Sequence, residues 1–158
     1  MFIATLKLIL APILAVAISS ICALPSLSEP SAPVQIDAEQ MSAAQKAAAS
    51  WLAVVDAGKY ALSRHLAAAI FQERVTPEQV EKTIQRVRTE VGQLNSRKLD
   101  SISYTKTLPD APDGEYVILQ YNSIFEQQKS ARETIVLTKE KDGQWRVGGY
   151  FVAKGRNS

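Results

Sequence analysis

Residues 75–108, VTPEQVEKTIQRVRTEVGQLNSRKLDSISYTKTL, change period in mid-stretch, and that change decides the fold. Thr76 is placed to cap a helix, Pro77 takes its first position and Gln79 completes a capping box. Val80, Ile84, Val87 and Val91 then recur on one face, and Gly92 supplies a left-handed stop. Beyond Asn95 the apolar period falls to two, with Ile102 and Tyr104 sharing a face. A helix therefore gives way to a strand within a few residues.

Working toward the N-terminus, two further helices are predicted. Met41, Ala44, Ala48, Trp51, Leu52 and Val55 form one apolar stripe, with Asp37 as N-cap and Gly58 as stop. A second helix is expected over about residues 59–72, burying Leu62, Leu66, Ala69 and Ile70. Toward the C-terminus, Val117, Leu119, Tyr121 and Phe125 share a strand face, as do Ile135 and Leu137. Trp145, Val147, Gly149 and Phe151 do the same in the last strand. Short links, including the hairpin signal Asp142-Gly143, favour an antiparallel meander. The expected fold is α+β: three N-terminal helices packed on a curved, cone-like four-stranded β-meander. Gly148-Gly149 weakens the last strand unless the sheet bends there. Trp51 and Trp145 are both expected in the core.

Residues 1–23 hold an uncharged apolar run of signal-peptide length, Leu8–Ile21, behind the single charge of Lys7. Cleavage after Ala23 would remove Cys22, the one cysteine, and leave no disulfide or thiol chemistry. Residues 24–36 read as a Pro/Ser-rich linker, 37–154 as one domain and 155–158 as a disordered tail. The expected location is periplasmic or extracellular; an uncleaved N-terminal anchor is the alternative, and processing would leave no integral membrane segment. A formal net charge of only +2, with basic and acidic residues interspersed, argues against nucleic acid as a partner.

The stretches WLAVVDAGKYALS, VTPEQVEKTIQRVRTEVGQLNSRKL, LPDAPDGEYVILQY and RETIVLTKEKDGQWRVGGY resemble the bacterial family of domain of unknown function 4019, over roughly residues 47–151. The order of helices and strands is also similar to the nuclear-transport-factor-like superfold, which includes ketosteroid-isomerase-type enzymes and many pocket proteins without activity. The resemblance implies fold and export and brings no activity with it. Relative to the family pattern, Arg64 and Val80 stand where tryptophans are usual and Asp110 replaces a glycine.

Few residues invite chemistry. His65, the only histidine, has no carboxylate three or four residues away on its helix. It is expected at the edge of the buried face and dispensable. Glu133 shares strand parity with Ile135 and Leu137, so it should point toward the helices and need a cation. Arg88 and Arg97 are its expected partners. Tyr104 and Tyr121 offer hydroxyls to a pocket, though aromatic strand residues more often pack. Ligand-binding candidates are thus Glu133, Arg88, Arg97, Tyr104 and Tyr121; the catalytic candidates are His65, Glu133 and Tyr104. Asp110, Asp113 and Glu115 match no ordered calcium loop, and neither metal nor cofactor is expected. Two functions compete. One is a non-catalytic binding module for a small molecule or protein, able to form a homodimer through its sheet. The other is an isomerase- or hydratase-like enzyme using Glu133 or His65 with a tyrosine.

Overall fold

A computed structural model of the chain describes residues 36–155. The signal, most of the linker and the last three residues of the tail lie outside the described residues. Helix α1 spans Ala38–Asp56, α2 Tyr60–His65, α3 Ala69–Arg74 and α4 Pro77–Val91. Strands β1 (Leu94–Thr105), β2 (Tyr116–Phe125), β3 (Ala131–Lys139) and β4 (Trp145–Lys154) follow. They pair in the order β1-β2-β3-β4, antiparallel throughout. No helix among the described residues is long and apolar enough to cross a membrane.

The caps behave as their residue types dictate. Asp37 accepts from the Gln40 amide, and Thr76 and Gln79 form the reciprocal capping box. Gly58 and Gly92 adopt positive φ at the two helix ends. Asp110 also has positive φ, 62°. The α1 stripe and the inner sheet face form one core of Ala44, Ala48, Trp51, Leu52, Val55, Val117, Leu119, Ile135, Leu137, Trp145 and Val147. Both tryptophans are buried with their indole N–H groups satisfied. Trp51 donates to the Ser63 carbonyl at 2.7 Å and Trp145 to the Gln40 side chain at 3.1 Å.

The second expected helix is in fact two, so the helices number four. Ala68 leaves the helical region, and its N–H donates to the Val147 carbonyl of β4 at 2.8 Å. Side chains hold the break open: Arg64 donates to the carbonyls of Gln72 and Val75, and Glu140 accepts from the Ala69 amide. The rotation that follows buries Ser63, Ala67 and Ala68 and leaves Leu62 and Leu66 43% and 48% exposed. Ala69 is exposed as well. The expected buried side of residues 59–72 is therefore wrong, because tertiary pairing to β4 overrides helical continuity.

Strand β4 departs from simple alternation as well. Val136 pairs with Gly149 but Leu137 pairs with Val147, so Gly148 is an extra, bulged residue. Trp145 and Val147 point inward as expected. Beyond the bulge the parity flips: Tyr150 faces the core and Phe151 is 54% exposed. Strand β1 carries two irregularities, at Asn95 and Asp100. They allow Leu94, Arg97, Leu99 and Ile102 to share the inner face although their sequence parities differ.

Candidate functional site

At one end of the inner sheet face, charged groups converge from four elements. Glu133 on β3 is 0% exposed. Arg97 on β1 donates to it through Nε at 2.6 Å and Nη2 at 2.9 Å. Tyr150 on β4 donates from its hydroxyl at 2.6 Å, and Ser123 on β2 donates to the second oxygen. Two donors thus meet each oxygen of the carboxylate. Trp51 packs edge-on against Tyr150, with ring centroids 5.3 Å apart, and closes the cluster on the helix side.

Asp56, the last residue of α1, joins this cluster to a second arginine. Arg97 donates to it at 2.8 and 3.2 Å. Arg88 on α4 donates to the same carboxylate through Nη2. Arg88 occupies the buried stripe one turn beyond Ile84, is 8% exposed, and lies over the Phe125 ring at 5.1 Å. Two carboxylates face two guanidiniums, so the group is formally neutral, as burial demands. Burial alone would lower the Arg97 pKa, but the hydrogen bonds it donates to Glu133 and Asp56, with their charges, outweigh it and the net shift is upward. Burial, then the Glu133 charge, raises the Tyr150 hydroxyl well above the ordinary phenol range. Burial likewise raises Tyr121, which stands directly across from Glu133 in the β2–β3 register.

Outside this closed cluster lies an open notch of about 580 Å³, where the C-terminal ends of α1 and α4 meet the start of β1 and the end of β2. Arg88 and Asp56 form one wall; Tyr60, Gln93, Leu94 and Glu126 are among the others. Glu126 accepts from the Gln93 amide at 3.0 Å. The Arg88 Nη1 atom is buried and has no hydrogen-bond partner among the described residues.

The structure brings Glu133 and Arg97 together as expected, with Tyr121 beside them. Arg88 is close by, but it pairs with Asp56 instead of Glu133, because Arg97, Ser123 and Tyr150 already fill the carboxylate. Tyr104 stands elsewhere: its hydroxyl donates to Glu115 at 2.9 Å, which holds the Glu115 pKa below the usual carboxylate range. His65 is exposed, not at a buried edge; Gln72 donates to its backbone carbonyl, and its imidazole has no hydrogen-bond partner among the described residues. Sequence reasoning missed Asp56, Ser123 and Tyr150. Ser123 shares the parity of Tyr121 and Phe125 and was within reach of the strand pattern. Tyr150 was hidden by the Gly148 bulge. Asp56 continues the Ala44-Ala48-Leu52 row of the α1 stripe at a spacing of four and was within reach of the helical pattern. Among the described residues, no group of three or more His, Cys, Asp or Glu side chains is arranged to hold a metal ion.

The profile of a protein family of unknown function, DUF4019, matches residues 47–150. The chain belongs to the DUF4019 family. No functionally curated protein matches it in sequence. Among solved structures, this DUF4019 member is similar to a protein of Shewanella frigidimarina provisionally named a ketosteroid isomerase. Identity is 21% over 72% of this chain and 97% of that one, with a TM-score of 0.50. It is also similar to the protein Aln2 of a Streptomyces species, at 11% identity over 75% and 93% of the two chains and a TM-score of 0.49. Helices preceding a four-stranded antiparallel sheet fit the nuclear-transport-factor-like fold.

Proposed function

We propose that the protein is an exported, non-catalytic binding module whose ligand site is the notch beside Arg88. The observation that carries this reading is the saturation of Glu133. A general base needs a lone pair turned toward its substrate. The four hydrogen bonds on Glu133 all come from the protein itself, and its side chain is sealed from solvent. His65 has no carboxylate partner to orient it, and Tyr104 is engaged with Glu115 at a separate place. Such a centre is suited to fixing β1, β3, β4 and α1 against one another. The open, polar surface lies one residue further out, on the other side of Asp56.

The isomerase-like alternative takes its substrate class from the name of the Shewanella neighbour. The full chain is incubated with a β,γ-unsaturated ketosteroid and the double-bond shift followed by absorbance. The expected result is no conversion above buffer, for the wild type and for Glu133→Gln alike. Conversion by the wild type, lost in a folded Glu133→Gln variant, would establish the enzyme instead. Export is checked by the intact mass of the protein outside the cytoplasm, which is expected to begin at Leu24; a full-length mass in the membrane fraction would support the anchor.

A further inference from the structure

We propose that the notch binds a small zwitterion of the amino-acid class, its carboxylate on Arg88 and its ammonium toward Glu126. This inference rests on the binding-module reading and names its ligand.

A guanidinium carries five N–H donors. Arg97 commits its donors to two carboxylates. Arg88 makes one hydrogen bond among the described residues, Nη2 to Asp56, and its buried Nη1 makes none. A buried donor left unmade costs about 1–3 kcal/mol, and native structures fill such atoms with water or ligand. Arg88 sits in the wall of the notch, so an acceptor entering there approaches its guanidinium. A carboxylate is the acceptor whose planar fork suits a guanidinium.

Charge then narrows the class. Asp56, Glu133, Arg88 and Arg97 already balance, so a simple anion would leave the site with uncompensated negative charge, next to Glu126. The rim favours a cation. The notch is bounded by the C-terminal ends of α1 and α4, the negative ends of both helices. Glu126 has one oxygen on the Gln93 amide and no partner for the other among the described residues. Acceptors and a cationic donor lining one notch match a molecule carrying both an ammonium and a carboxylate. Tyr60 and Leu94 in the wall offer apolar area to a side chain.

The test is an NMR titration of the ¹⁵N-labelled full chain with L-amino acids from glycine to phenylalanine. Acetate and methylammonium at matched ionic strength serve as the half-molecules. Saturable shifts of the Arg88 Nε, Gly92 and Gln93 signals are expected with at least one amino acid, with acetate at least tenfold weaker. Arg88→Met should abolish the shifts and Glu126→Gln weaken them at least fivefold, both variants first confirmed as folded by their amide spectra. Acetate binding as tightly as the amino acids would overturn the zwitterion and leave a plain anion site. No saturable shift at the notch would mean that Nη1 meets only water, which also overturns the proposal. The binding-module reading fails separately, through ketosteroid turnover.

Discussion

Arg97 and Arg88 share one carboxylate, Asp56, and do different things with the rest of their donors. Arg97 turns inward and forks onto Glu133. Arg88 lies over the Phe125 ring with a donor unused among the described residues. The difference comes from the elements that carry them. Arg97 sits on a strand whose bulge at Asn95 re-aims it into the sheet's inner face. Arg88 sits on a helix stripe, where its stem replaces an apolar residue and its head reaches the helix end. One site is closed and scaffolding; the other is open and available. Charge type alone does not distinguish the two; the count of unmade hydrogen bonds does.

The largest effect is expected where the closed cluster meets the core. Trp51→Ala removes the wall against Tyr150 and a buried indole hydrogen bond, and should cost about 3–5 kcal/mol in urea unfolding. A loss under about 1 kcal/mol would mean the cluster does not depend on that wall.

Tyr150→Phe comes next. It deletes a hydrogen bond to a buried charge and should cost about 1.5–3 kcal/mol near neutral pH. It also changes the pH profile. The Tyr150 pKa is raised in the folded state, so above pH ~10 the unfolded chain releases a proton that the native chain retains. This contribution is complete below the ordinary phenol pKa and is lost as pH rises through the folded one. The wild type should therefore lose stability on the alkaline side more steeply than Tyr150→Phe. Equal alkaline slopes would place the hydroxyl outside the cluster.

How much of this was legible in the sequence follows from where periodicity holds. The α1 and α4 stripes, their caps and the Asp142-Gly143 turn were readable because each is a local rule obeyed locally. Glu133 was readable because β3 keeps strict alternation from Ala131 to Leu137. Tyr150 and Phe151 were exchanged because the Gly148 bulge shifts parity by one, and nothing in the strand pattern says which glycine bulges. Leu62 and Leu66 were assigned to the core because the break before Ala69 is made by β4, Arg64 and Glu140, partners distant in sequence or on another element. The notch was not legible, since it needs two helix ends and two strand ends to be placed together.

His65→Gln should have the smallest effect. The side chain is exposed and has no partner among the described residues, so stability should stay within about 0.5 kcal/mol and the notch titration unchanged. A larger loss would place a function at α2, on the opposite side of the comparison from both arginines.

The comparison is tested most directly by measuring Arg97→Met and Arg88→Met side by side in urea unfolding at neutral pH. Arg97→Met leaves Glu133 buried without its counter-charge and should cost about 3–5 kcal/mol. Arg88→Met leaves Asp56 paired with Arg97, removes an unmade donor and places an apolar chain over Phe125. It also removes the Arg88 hydrogen bond to the partly exposed Asp56, and should cost about 1.5–3 kcal/mol, less than Arg97→Met. Equal losses in the two variants would contradict the division into a scaffolding arginine and an available one.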